Sequence, residues 1–262
     1  MLLDFFKYEG AGNDFILIDD RQHKFFPDNQ LVIRRLCDRR FGVGADGFII
    51  LRSLPGFDFR MYYYNADGKE STMCGNGGRC ITAFAGKLGI IREKARFMAI
   101  DGEHQAELRS ANFVSLKMND VTRVESGKDY YYLDTGSPHY VTFQTSVKDI
   151  DVYSEGRKIR YNKRFEKEGT NVDFVEDCGE YLFVRTYERG VENETLACGT
   201  GVVASVICAD FRFKHDKISA SVPVKVMGGF LNVSYRREKH NYTDIWLNGP
   251  ANFVFKGKIE IL

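Results

Sequence analysis

The feature that most constrains how this 262-residue chain can fold is a motif that occurs twice. The first copy reads Glu70-Ser71-Thr72-Met73-Cys74-Gly75-Asn76-Gly77, and the second reads Glu194-Thr195-Leu196-Ala197-Cys198-Gly199-Thr200-Gly201. Both fit E-[ST]-x-x-C-G-[NT]-G, and Cys198 follows Cys74 by 124 residues, close to half the chain. Each copy runs into an apolar stretch of helical spacing. The first holds Cys80, Ile81, Ala83, Phe84 and Ala85, and the second holds Val202, Val203, Ala204, Val206, Ile207, Cys208 and Ala209. A helix apolar on every side has no face for water and must be buried. Duplication on this scale predicts two domains of similar architecture. Two such domains packed about an approximate two-fold axis bring equivalent points, here Cys74 and Cys198, face to face across a cleft. Clefts of that kind commonly hold small molecules.

The rest of the chain reads as short strands between Gly, Asp and Asn turns. Strand alternation is clear in Phe59–Tyr63, Phe113–Leu116 and Phe230–Val233, and Asn65-Ala66-Asp67-Gly68 is a turn signal. Two surface helices are predicted. One is capped by Asp28 and runs through Arg39, with Val32, Ile33, Leu36 and Cys37 on one face and Gly42 beyond its end; the other spans about 152–162.

Composition removes several function classes. Lys plus Arg is 37 and Asp plus Glu is 36, so a formal charge of +1 gives no bias toward nucleic acid or an anionic membrane. No apolar run approaches the ~20 residues needed to span a bilayer, and the N-terminus lacks a signal-peptide pattern, which predicts a cytoplasmic protein. Six cysteines without regular spacing do not form a disulfide scaffold and are expected as free thiols.

A buried cysteine ordinarily just fills space. Here Gly75 and Gly77, like Gly199 and Gly201, keep the backbone bare beside the sulfur, which core filling does not require. Cys37, Cys80, Cys178 and Cys208 carry no such signature and are expected to be structural. A helix N-terminus presents unpaired N–H groups and the positive end of the helix dipole, so it binds a carboxylate and favours the thiolate of a cysteine placed there. An amino acid whose carboxylate sat at two such ends would have the charge of its α-carbanion stabilised. A thiolate on one face and a thiol on the other would then invert the carbon by general acid–base catalysis.

These residues carry a wider resemblance. The segments Tyr8–Phe15, Asn65–Gly68 with Cys74–Cys80, Gly136-Ser137-Pro138-His139, Gly169–Val172, Tyr187-Glu188-Arg189-Gly190, Ala197–Gly201, Gly228–Leu231 and Asn248–Ala251 span almost the whole chain. Together they resemble the diaminopimelate epimerases, isomerases of lysine and cell-wall precursor synthesis. The resemblance implies an α/β fold of the α+β type with two pseudo-symmetric domains, each a mostly antiparallel sheet or barrel wrapped round a central helix. The first domain would cover 1–120 with the strand 251–262 returning to it, and the second 121–250. It implies no metal and no pyridoxal phosphate, diaminopimelate as the small-molecule partner, and a homodimer. It implies Cys74 and Cys198 as the catalytic pair, with His139 and Glu188 tuning them. Gly75, Asn76, Gly199 and Thr200 would hold the reacting carboxylate. Glu188 would also take the reacting ammonium, and Asn13, Asn65, Asn171 and Arg189 would bind chiefly the distal end, where an Arg–carboxylate fork gives orientation.

Two positions depart from the family pattern. Gly47 stands where a Gln is often found, and Ser137 where an Asn commonly precedes the Pro-His pair. The alternatives are another two-cysteine racemase, of the proline type, and a non-catalytic amino-acid-binding protein on this fold. Asn13, Asn171 and Arg189 favour a substrate with a second charged end over the former, and the presence of both cysteines disfavours the latter. The Gly-rich loop after Cys74 lacks the Gly-Lys-[Ser/Thr] of a nucleotide cradle, and the Cys74–Cys80 spacing suits neither zinc nor a redox pair.

Overall fold

The computed structural model describes residues 2–25, 30–213 and 218–261. The chain divides into two compact units, one built from Met1–Leu116 and Gly249–Leu262, the other from Lys117–Asn248. In chain order the first unit contains β1 (Leu2–Gly10), β2 (Asn13–Asp19), α1 (Gln30–Cys37), β3 (Gly47–Arg52), β4 (Phe59–Asn65), α2 (Gly75–Lys87), β5 (Lys94–Ala99), β6 (Gly102–Ser110) and β7 (Phe113–Lys117). The second contains β8 (Glu125–Ser126), β9 (Tyr131–Asp134), β10 (Pro138–Phe143), a 3₁₀ turn (Val147–Asp149), α3 (Val152–Arg160), β11 (Asn171–Asp177), β12 (Leu182–Glu188), β13 (Asn193–Thr195), α4 (Gly199–Phe213), β14 (Ser219–Val226), β15 (Gly229–Glu238) and β16 (Asn241–Pro250). The last strand, β17 (Asn252–Glu260), belongs to the first unit and pairs antiparallel with β1.

The duplication is written in the strand pairings. In the first unit β2–β3 and β4–β5 are parallel, while β1–β2, β3–β4, β5–β6 and β6–β7 are antiparallel. The second unit repeats that series: β10–β11 and β12–β14 are parallel, and β9–β10, β11–β12, β14–β15 and β15–β16 are antiparallel. Register repeats as well. Leu17, Ile49 and Tyr63 form one cross-strand row, matched by Val141, Asp173 and Thr186. This is the two-domain α/β architecture with few helices that the repeat predicted.

Within each unit a buried helix lies against the sheet. The stretch Gly75–Ala85 of α2 is buried throughout and packs on β1, β2, β3, β6 and β17. In α4 the residues from Val202 to Asp210 are buried without a break against β9, β10, β11, β12, β14 and β15. Helix α2 stops because Gly89 adopts φ 71°, a backbone conformation that costs glycine nothing. The amides of Gly89 and Ile90 then turn back onto the carbonyls of Gly86 and Ala85, which satisfies the helix end.

Helix α1 buries Ile33, Leu36 and Cys37, leaves Val32 half-buried, and ends at Cys37, two residues short of the expected Arg39; Asp28 lies outside the described residues. Helix α3 starts at Val152 as expected, capped by the Asp151 carboxylate on the Ser154 amide, and ends at Arg160 rather than 162. The Asn65–Gly68 segment forms the expected turn, with Gly68 at φ 85°. Among the described residues no helix is long and apolar enough to cross a membrane.

Candidate active site

Both motif cysteines occupy the same local position. The carbonyl of Cys74 accepts the first intrahelical bond from Gly78 N at 2.7 Å, and that of Cys198 accepts from Val202 N at 2.9 Å. Each sulfur therefore sits at the N-cap of a buried helix, directly before its first amides, those of Gly75 and Asn76 in the first unit and of Gly199 and Thr200 in the second. Such amides can receive an anion.

In the first unit, Cys74, Asn76 and Asn13 converge. A two-residue hairpin turn, Ala11 (φ 55°) and Gly12 (φ 83°), joins β1 to β2 and sets Asn13 at the head of β2. Asn13 Nδ2 donates to Asp46 Oδ2 at 2.7 Å, which aims its Oδ1 at Asn76 Nδ2 (3.2 Å) and at Cys74 Sγ (3.7 Å). Beneath them lies Arg79, fully buried, whose guanidinium donates to Asn76 Oδ1 (2.9 Å), Gly75 O (3.3 Å) and Pro250 O (3.4 Å). Burial pushes the guanidinium's pKa down, against the opposing influence of Cys80, Cys74 and Glu9. Arg79 ties down the first helical turn, a role the sequence reading did not assign to it. Asn65 is exposed at the end of β4. The Gly47 departure has a steric reason: a Cβ there would stand 2.6 Å from Tyr63 Cε2 and 2.9 Å from Tyr64 O, so a Gln cannot enter unless the Tyr63 ring and the local backbone both shift.

In the second unit, Cys198, Thr200, His139, Ser137 and Asn171 form one hydrogen-bonded cluster. Cys198 Sγ lies 3.5 Å from Thr200 Oγ1, which is 2.9 Å from His139 Nε2. Ser137 Oγ is 3.0 Å from that same nitrogen and accepts from Asn171 Nδ2 at 3.1 Å, so the Ser137 departure keeps a hydrogen-bonding group in place. Behind the ring, His139 Nδ1 meets Asp173 Oδ2 at 2.7 Å, and Thr186 Oγ1 donates to Asp173 Oδ1 at 2.7 Å. His139 and Asp173 are both sealed from solvent. Drawing a carboxyl group and an imidazole out of water is costly unless each finds a partner, so such a dyad calls for an explanation.

Around this cluster, Asn171 Oδ1 accepts from the Arg189 amide at 2.8 Å, while the Arg189 side chain is exposed and donates to Glu168 O. Glu188, at the end of β12, accepts from Thr195 Oγ1 at 2.9 Å and bears electrostatically on Cys198. A cavity of about 440 Å³ lined by Lys128, Tyr130, Phe143 and Arg212 lies by the last turn of α4, the far end of that helix from Cys198. Among the described residues no group of three or more His, Cys, Asp or Glu is disposed to hold a metal ion.

Two expectations change. A helix start was expected to favour the thiolate, but burial dominates at Cys198. It pushes the thiol pKa well above its ordinary value, Glu188 and Asp173 push the same way, and the Thr200 hydroxyl and Gly201 amide oppose them only in part. Cys178, expected to be structural, is exposed in the turn between β11 and β12. Cys80 and Cys208 are fully buried, and burial raises both thiols, so they are inert as expected; Cys37 is buried too, its thiol pushed up to about 12. Asp173 and Thr186 were not singled out from sequence. For Asp173 the signal was an acid inside Asn171-Val172-Asp173-Phe174-Val175, a strand otherwise patterned for complete burial.

The chain matches the family model described as diaminopimelate epimerase over residues 5–124 and 131–254. It is 48% identical to the diaminopimelate epimerase of Flavobacterium psychrophilum, with 97% of this chain and 99% of that protein covered. It is 42% identical to the diaminopimelate epimerase of Chlorobaculum tepidum, covering 96% and 99%. Among solved structures it is similar to the PhzF-family phenazine biosynthesis protein of Bacillus anthracis, with a TM-score of 0.77 over 100% of both chains at 13% identity, a likeness of fold. With duplicated sheets, a cysteine at the head of each buried helix and matches over nearly its full length, the chain belongs to the diaminopimelate epimerase family of isomerases.

Proposed function

We propose that this enzyme interconverts L,L- and meso-diaminopimelate, in lysine and peptidoglycan precursor synthesis, by a two-base mechanism needing neither pyridoxal phosphate nor metal. Cys74 and Cys198 are the acid–base pair. One thiolate removes the α-proton, the other thiol delivers a proton to the opposite face, and the roles exchange in the reverse direction. The amides of Gly75 and Asn76, and of Gly199 and Thr200, receive the reacting carboxylate and stabilise the charge that develops on it. Glu188 takes the reacting ammonium, Asn13, Asn65, Asn171 and Arg189 bind the substrate's distal end, and His139 tunes the thiols. The observation that carries this reading is the placement of both sulfurs at N-caps followed by bare glycine amides, in a chain of this family.

Incubation with L,L-diaminopimelate in deuterated water should place deuterium at one α-carbon without added pyridoxal phosphate. A requirement for that cofactor would overturn the proposal. Cys74→Ala and Cys198→Ala should each abolish epimerisation, because neither thiol serves both faces; substantial turnover in either variant refutes the two-base assignment.

The two domains of the mechanism are taken as 1–120 with 251–262, and 121–250, in a cytoplasmic enzyme. The family resemblance further implies a homodimer.

A further inference from the structure

The two units use one strand register to place different chemistry behind their cysteines. In the first, a Cβ at Gly77 would meet Ile49 Cδ1 at 3.2 Å, Met61 Cε at 3.4 Å and Phe15 Cε1 at 3.7 Å, an apolar floor. The residues 124 positions on from Phe15 and Ile49 are His139 and Asp173, and Thr186 takes the register place of Tyr63. A Cβ at Gly201 would meet Asp173 Oδ1 at 2.4 Å and His139 Cε1 at 3.3 Å. The fold therefore accepts Phe, Ile and Tyr at the three places, and building the sheet does not require a His–Asp–Thr network. That network ends on a thiol.

We propose that Asp173 is a positioning residue which, through His139 and the Thr200 hydroxyl, equips Cys198 with an internal proton acceptor. The proposal rests on the two-thiol reading above. With its Nδ1–H held by Asp173 Oδ2, His139 presents Nε2 as an acceptor toward Thr200. The Cys198 S–H proton passes to Thr200 Oγ1 as the Thr200 hydroxyl proton passes to His139 Nε2. The sulfur keeps the bonding pair, Thr200 is again a hydroxyl, and the imidazolium faces the Asp173 carboxylate. Reversal returns the proton. The network's net charge does not change, which matters where burial and two carboxylates already oppose losing the proton to solvent.

The groups bearing on Cys198 are Glu188 from β12, Asp173 from β11, the Thr200 hydroxyl and the Gly201 amide. Those on the His139 ring are Asp173, Ser137, Thr200 and the Asn171 amide. Cys208, farther along α4, also feels Asp173 but is fully buried and stays protonated.

The test is epimerisation kinetics across pH, with thermal denaturation to verify folding. Asp173→Asn preserves shape and an acceptor oxygen for His139. It should lower kcat at least about tenfold and leave KM within about threefold. The acidic limb of kcat/KM should move up by about one pH unit or more, since the thiolate must then form by loss of a proton to solvent, and that loss outweighs the relief of removing the Asp173 charge beside the thiol. Thr200→Val should reproduce that pattern, and Thr200→Ser, which restores the hydroxyl, should recover most of the kcat and pH profile lost in Thr200→Val. A folded Asp173→Asn variant with wild-type kcat and pH profile overturns the proposal. Should that variant not fold, Thr200→Val decides, because it leaves the His139–Asp173 pair in place; an unchanged profile there is equally fatal. Turnover by Cys198→Ala, run in parallel, would sink the two-thiol reading itself. An inactive Cys198→Ala beside a normal Asp173→Asn sinks the relay alone.

Discussion

A methyl group at Gly201 and one at Gly77 would meet very different neighbours, although the two glycines hold the same place in the duplicated motif. At Gly201 the new Cβ would lie 2.4 Å from Asp173 Oδ1, a group fixed on both sides by His139 and Thr186. At Gly77 it would lie 3.2 Å from Ile49 Cδ1, the end of a side chain that can yield. Gly201→Ala should therefore destabilise by about 1–3 kcal/mol, as overpacked interiors do. Gly77→Ala should cost less, because alanine also favours the helix by about 1 kcal/mol over glycine. Thermal denaturation of the two variants would rank them. The cysteines, their glycines and His139 were legible in the sequence, because each belongs to a local motif. Asp173 was not. Its partnership with His139 comes from strands whose pairing joins residues 34 positions apart, and carrying the repeat outward from the cysteines to Phe15 and His139 would have pointed to it, as would an acid in a strand patterned for burial.

At the scale of elements, burial of the two central helices followed from their composition, while the ends of the surface helices did not. Helix α1 stops at Cys37 because the Leu36 carbonyl is taken by the amides of Val43 and Gly44 as the chain folds back, and because Asp38 caps the amides of Arg40 and Phe41. Apolar periodicity does not record where those bonds fall. The same loop delivers Arg39 to Asp14 on β2 through two contacts of 2.9 and 2.7 Å, and Lys7 of β1 reaches Asp14 at 2.7 Å. Burial alone would raise the Asp14 pKa, but the hydrogen bonds and charges of Arg39 and Lys7 outweigh it and hold the carboxyl below the usual range. A carboxyl depressed in the folded state contributes stability above its unfolded pKa of about 4 and loses it as pH falls toward the folded value. Asp14→Asn should therefore lower the denaturation midpoint at pH 7, and the gap to wild type should start to narrow below about pH 4 and shrink further as the pH falls. For α4, Ile207→Ala should cost about 2–5 kcal/mol, since Ile207 is fully buried in the helix.

For the whole molecule, the repeat of one motif was enough to foretell two units of like architecture. The first unit is built from both ends of the chain. Strand β17 pairs with β1 from Leu2↔Glu260 to Glu9↔Asn252, and its preceding segment supplies the Pro250 carbonyl to Arg79. Deleting 252–262 should strip β1 of that partner and leave residues 1–116 open to protease, while 117–248 stays protected; limited proteolysis read by mass spectrometry would check this. The discontinuity also bears on birth order. A chain emerging from the ribosome presents residues 1–116 first, yet these must wait for the last strand to be translated. The uninterrupted stretch 117–248 has all its partners earlier and can close ahead of the segment that preceded it.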